Sequence, residues 1–149
     1  MPKIRVTKKF RFEMAHALYE YDGICRNIHG HTYHLEVTLL GEPQQNPGHP
    51  KDGMVLDFGI LKKTVNNKIV HTFDHALVVS SIFPSDHIEA FKKATERLVV
   101  VDFQPTTENL IVHFSKILQQ AFPSNVSLFS MRLYETENSF AEWFAADNI

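Results

Sequence analysis

The stretch CRNIHGHTYHLEV, residues 25–37, places the chain's only cysteine four residues ahead of a His-Gly-His. Imidazole and thiolate are the two side chains most used to hold zinc, so two kinds of site are open at this point. Three histidines closed by the Cys25 thiolate would make a tetrahedral structural knot. Three histidines with a free fourth position would leave room for a substrate, with a thiol beside it able to move protons. Gly30, between His29 and His31, removes a side chain where another group could approach the backbone.

The elements that must carry these residues follow from periodicity. Residues 3–16 alternate Ile4, Val6, Phe10, Phe12 and Met14 against Arg5, Thr7, Lys9, Arg11 and Glu13, broken only at Lys8. This is the pattern of a half-buried antiparallel strand, and His16 has the parity of its apolar face. In residues 29–40, Tyr33, Leu35, Val37 and Leu39 share one face with His29 and His31, whereas His34 falls on the other. Paired as a hairpin, the two strands bring His16, His29 and His31 to one end, joined by the loop that carries Cys25. His29 and His31 are then about 6.6 Å apart along the strand, close enough to share an ion with bonds of about 2.0–2.1 Å. Imidazoles without a carboxylate cluster suit zinc better than iron or calcium. His34, His49, His71, His87 and His113 are assigned no such role.

Further along, residues 57–73 predict a helix capped by Asp57, with Ile60, Leu61, Val65, Ile69 and Val70 as its stripe. A second helix is expected from Thr107 to Ala121, with Leu110, Ile111, Phe114, Ile117 and Leu118 inward; Glu108 reads as an ordinary acidic residue of its first turn. SLFSMRLYET and FAEWFAA read as two closing strands. In the first, Glu135 shares parity with Phe129, Met131 and Leu133, which puts a carboxylate on a buried face, where it needs a partner. The order β-β-α-α-β-β predicts an α+β fold: a four-stranded antiparallel sheet with two helices on one face. Residues 41–53 should form a surface loop. SDHIEAFKKATERLVVVDF is read as a short helix and an extended strand without a function.

With 149 residues and 44% hydrophobic content, one domain over residues 1–149 is expected, burying about 70% of its unfolded surface. A net charge of −2 gives no electrostatic reason to expect nucleic acid or an anionic membrane as partner. The lone cysteine allows no internal disulfide, and MPKIRVTKKF contains no long apolar run, so a cytoplasmic protein is expected.

FRFEMAH, CRNIHGHTY, GMVLDFGILK, FDHAL, PTTEN and YETENS, in that order, resemble the motifs of the 6-pyruvoyltetrahydropterin and 6-carboxytetrahydropterin synthases, zinc enzymes of the tunnelling fold. The resemblance implies one zinc per subunit on His16, His29 and His31. It further implies Cys25 as catalytic base, Asp74 and His75 as its proton-relay partners, and Glu135 as anchor of a pterin ring in a pocket that includes Thr106 and Thr107. The substrate implied is 7,8-dihydroneopterin triphosphate, and the assembly a homohexamer built of two trimers with active sites between subunits. Three residues, Arg26, Asn27 and Ile28, separate Cys25 from His29, a spacing similar to the carboxy branch, which releases acetaldehyde on the way to queuosine and other 7-deazaguanine compounds. The pyruvoyl branch, which keeps the whole side chain, is the alternative, and a non-catalytic zinc module closed by Cys25 is the alternative from a different class. A related subgroup that makes a folate precursor carries glutamate where Cys25 stands.

Overall fold

Alternation of apolar and polar side chains governs the first two elements. β1 (Ile4–His16) and β2 (His29–Gly41) pair antiparallel along their whole length, from Ile4 opposite Gly41 to His16 opposite His29. Phe10, Phe12 and Met14 of β1 and Tyr33, Leu35, Val37 and Leu39 of β2 are buried on the same face, as their parity requires. The computed structural model describes residues 1–149, and around this hairpin it builds an α+β fold with one six-stranded mixed sheet, in the order β4 (Leu98–Val101), β3 (Ala76–Ser80), β1, β2, β5 (Val126–Thr136), β6 (Ser139–Phe144).

The expected four-stranded antiparallel sheet is therefore short by two strands. β3 (Ala76–Ser80) lies parallel to β1, with Met14 opposite Ala76 and His16 opposite Val78, and β4 (Leu98–Val101) lies parallel to β3. Every residue of β3 is buried. A strand covered on both faces has no reason to alternate, which is why ALVVS carries no period-two signal. The extended segment expected near LVVV exists as β4, preceded by α3 (Ser85–Ala94), which buries none of its residues.

α1 (Phe58–Val65) is capped by Asp57, whose carboxylate accepts from the Gly59 N–H at 2.7 Å. It continues through a π-helical turn, Asn66–Val70, into a last α turn, α2 (His71–Phe73). Leu61, Val65, Ile69 and Phe73 are buried, whereas Ile60, expected in the stripe, is exposed. Apolar residues four apart drift by roughly 40° per step on a helix of 3.6 residues per turn. The wider π turn takes up that drift and returns Phe73 to the core. α4 (Thr107–Leu118) begins at Thr106, whose hydroxyl accepts from the Asn109 N–H at 3.1 Å. Its Leu110, Ile111, Phe114 and Leu118 join the sheet's buried face in one apolar cluster, where Phe12 stacks on Tyr33 at 5.3 Å.

β5 (Val126–Thr136) and β6 (Ser139–Phe144) extend the sheet beyond β2 as expected, but β5 carries two register shifts. At the first, Leu39 is opposite Leu128 while Thr38 is opposite Ser130. Leu128 therefore takes the core position, and Phe129, expected to be buried with Met131 and Leu133, lies beneath the Arg5 guanidinium at 4.0 Å. The extra residue of a bulge reverses the parity of all that precedes it. The second shift falls between Tyr134 and Thr136 and frees Glu135 from the ladder.

Candidate active site

The hairpin delivers the three imidazoles as its register demands. His16 and His29 are direct partners across the ladder, His31 is two residues on, and their donor atoms all lie within 4.8 Å of one another. His16 is buried and the other two are half-buried. Two ring nitrogens are committed outward: His16 Nδ1 donates to the Pro105 carbonyl and His29 Nδ1 to the Asn27 carbonyl, each at 2.7 Å. Since a carbonyl only accepts, these bonds fix the tautomer and leave both Nε2 atoms as bare lone pairs. Those lone pairs face each other at 3.0 Å. His31 Nε2 is buried with no hydrogen-bond partner.

Lone pairs aimed at one point repel unless a cation sits among them. A proton is opposed here: burial pushes His16 below its ordinary value, and it does the same to His31, where the Glu135 carboxylate pulls the other way. A tetrahedral ion with bonds of about 2.0–2.1 Å holds its donors roughly 3.3 Å apart, so the three imidazoles fit a metal ion. The Cys25 thiol is not part of this donor group.

Cys25 lies instead in a short 3₁₀ turn, Ile24–Arg26, where it is half-buried. It lines a cavity of about 600 Å³ together with Thr106, Thr107 and Glu135. The Thr107 hydroxyl donates to Glu135 Oε2 at 2.8 Å, while Oε1 stands 3.7 Å from His31 Nε2. The bulged carboxylate thus links the cavity to the imidazole cluster. The two threonines are not equivalent, because Thr106 is occupied as the cap of α4 and Thr107 alone reaches the carboxylate. Glu108 lines the same cavity, as do the exposed aromatics Tyr21 and Phe140. None of these three stands out in the sequence: Glu108 looks like any first-turn acid, and the aromatics lie in a loop and on an edge strand, where periodicity carries little information.

Asp74 and His75 form a separate group, at the turn from α2 into β3. His75 adopts φ +60°, a left-handed conformation, and its N–H donates to the Glu13 carbonyl at 2.6 Å. The Glu13 N–H donates to Asp74 Oδ1 at 2.9 Å, holding that carboxyl below its ordinary range, and Asp74 Oδ2 is 3.1 Å from His75 Nδ1. The imidazole is 71% exposed and lines a second cavity, of about 410 Å³, alongside Gly30 and Thr32. Within one chain, His75 and Cys25 therefore line different cavities. Gly30 is not required by packing, since a Cβ there would meet only the Met14 carbonyl, at 3.6 Å.

No helix is long and apolar enough to cross a membrane. The sequence model of the family described as 6-pyruvoyl tetrahydropterin synthase matches residues 5–146. A Haemophilus influenzae protein named 6-carboxy-5,6,7,8-tetrahydropterin synthase is 33% identical over 93% of this chain and 97% of its own length. A Rickettsia conorii protein of the same name is 30% identical over 93% and 99%. Among solved structures, an uncharacterized protein from Wolinella succinogenes shares the fold with a TM-score of 0.77 at 21% identity, covering 97% of this chain and 99% of that one. The 6-pyruvoyl tetrahydropterin synthase of Caenorhabditis elegans superposes with a TM-score of 0.68 at 27% identity, covering 97% of both. A family match over nearly the whole chain, on a fold that converges three histidines at one end of a hairpin, establishes that this protein belongs to the 6-pyruvoyl tetrahydropterin synthase family.

Proposed function

We propose that this protein is a zinc-dependent 6-carboxy-5,6,7,8-tetrahydropterin synthase, a cytoplasmic lyase that converts 7,8-dihydroneopterin triphosphate and water to 6-carboxytetrahydropterin, acetaldehyde and triphosphate, a step toward queuosine. The observation that carries the reading is the trio of converged imidazole nitrogens with the thiol outside it. That arrangement supports an open site over a structural knot closed by Cys25. The names of the Haemophilus and Rickettsia relatives and the three-residue spacing from Cys25 to His29 support the carboxy product. The Caenorhabditis structure, named as a pyruvoyl enzyme, favours the second reading, elimination of triphosphate without carbon–carbon cleavage.

His16, His29 and His31 would hold the zinc, one per subunit, which when bound supplies Lewis acidity toward the oxygens of the substrate side chain. Glu135 accepts from the amino group and ring N–H of the pterin, and the Thr107 hydroxyl keeps the carboxylate turned to do so. Cys25, on the wall of the same cavity, takes the proton from the side chain or the adjoining ring carbon. His75, oriented through Nδ1 by Asp74, returns protons from Nε2. Because Cys25 and His75 line different cavities of one chain, we infer that the site is completed between subunits of a homohexamer built from two trimers. The unpaired edges of β4 and β6 are the surfaces where chains would join.

The test is incubation of the zinc-loaded protein with 7,8-dihydroneopterin triphosphate. Acetaldehyde alongside the pterin product selects the carboxy enzyme, a pyruvoyl pterin selects the second reading, and no turnover sinks both.

A further inference from the structure

Arg97 stands immediately before β4, in the segment to which the sequence attached no function. Its own carbonyl accepts from the Leu77 N–H at 2.9 Å, which fixes it beside the beginning of β3. From there its guanidinium reaches back over the preceding turn. Nε donates to the Asp74 carbonyl at 3.0 Å, and Nη2 donates to the carbonyls of His71 and Thr72. Backbone carbonyls at a helix C-terminus have no partner within the helix, and the negative end of the helix dipole adds to their attraction for a cation. A planar fork of donors can engage several of them at once, which an ammonium on a flexible stem cannot do equally.

The segment so held is the one that carries the acid–base pair. Its other ties, the His75 N–H to the Glu13 carbonyl and the Glu13 N–H to Asp74 Oδ1, run to β1. Arg97 supplies the tie from the opposite side, through β4. Between these two anchors His75 keeps its left-handed backbone and a largely exposed ring. An exposed side chain on a strained turn has little packing to fix its direction, so the direction comes from the backbone beneath it.

We propose that Arg97 is a positioning residue for proton transfer by His75: it clamps the carbonyls of His71, Thr72 and Asp74 and thereby aims the imidazole. The proposal rests on the reading of Asp74 and His75 as proton carriers. It is tested on the full-length, zinc-loaded protein with Arg97→Ala, Arg97→Lys, His75→Ala and the double variant Arg97→Ala/His75→Ala. Arg97→Ala should lower kcat by roughly tenfold or more, the scale of a misaimed catalytic group, with KM nearly unchanged and zinc content intact. Added guanidinium ion at tens of millimolar should restore part of the loss, and Arg97→Lys should not. In the His75→Ala background the Arg97 substitution should cost nothing further. Unchanged kcat in Arg97→Ala, a change in KM alone, or an equal loss in the His75→Ala background overturns the proposal. If Arg97→Ala does not fold, Arg97→Lys carries the same comparison, since it keeps charge and stem. A wild type that is inert toward the pterin sinks the enzymatic reading only. Amide hydrogen exchange then decides: the His75 N–H should exchange at least about tenfold faster in the Arg97 variant while the Val78 N–H is unaffected, and an unchanged His75 rate overturns the positioning role.

Discussion

The two chemical groups of this protein are built in opposite ways. The imidazoles of His16, His29 and His31 project from adjacent strands, so their spacing is set by pleat and register, and the ladder from Ile4 to His16 leaves them no other arrangement. Asp74 and His75 sit on a turn between a helix and a buried strand, in a conformation that a non-glycine residue adopts at a cost, and are held by bonds to Glu13 and Arg97 from distant parts of the chain. A site on a ladder takes its spacing from strand register, and here only the His16 ring also leans on a distant group, the Pro105 carbonyl. A site on a turn takes its geometry from tertiary contacts and stores strain, which makes it easier to disturb.

The largest expected effect breaks the ladder-built site. His31→Ala should lose bound zinc and, with it, all measurable turnover, as metal analysis and a product assay on the same preparation would record. Two remaining ligands hold zinc poorly. Retention of a full equivalent of zinc would remove His31 from the ligand set. Next comes Cys25→Ala, which should reduce turnover by roughly 10² or more while zinc content and melting temperature stay nearly constant. Zinc lost from this variant, with a marked drop in melting temperature, would instead make the thiolate a ligand and the site closed.

A smaller effect is set by pH. Burial holds His16 and His31 below their ordinary value of 6.5. The unfolded chain therefore takes up protons near 6.5 that the folded chain refuses, so this contribution to stability is complete above that pH and is lost as pH falls. The urea midpoint of the metal-free protein should decline between pH 7 and 5.5, and decline less steeply in His16→Gln. Equal slopes in the two proteins would mean that the trio accepts protons freely when folded.

The smallest effect sharpens the turn-built side. His75→Gly and His75→Ala both remove the imidazole, but the backbone there is left-handed. Glycine, ordinarily the less stable choice, should be the more stable variant by about 1 kcal/mol in denaturant unfolding. If alanine is the better tolerated, the turn relaxes once the ring is gone, and the strain belongs to the side chain's contacts.

Local periodicity made the first region legible. The hairpin, the common parity of its three histidines, both main helices and the two closing strands follow from patterns of period 2 and 3.6, which are properties of neighbours along the chain. What stayed hidden depends on residues far apart. β3 is covered on both faces and shows no alternation, so it could not be seen, and without it the strand read at LVVV had no place in the sheet. The bulge at Phe129 reverses parity through its pairing with β2, and nothing in SLFSMRLYET marks it. Glu135 keeps the parity of the buried Met131 and Leu133, but its partner, Thr107, lies 28 residues away on α4, where no pattern in the strand could name it. The pairing of Asp74 with His75 is visible as an adjacent dipeptide, but its anchors, Glu13 and Arg97, are not.

The parallel pairing of β3 with β1 also bears on the order in which the molecule assembles. His16 meets His29 across the short loop of residues 17–28, whereas it meets Val78 only after the whole of β2 and the long helix have intervened. Closing the longer loop costs roughly 1–2 kcal/mol more in chain entropy, and contacts between distant segments form late on that account. The strands that carry the three histidines can therefore pair before the turn bearing His75 docks, whereas the His16 ring is fixed only once the Pro105 carbonyl has arrived.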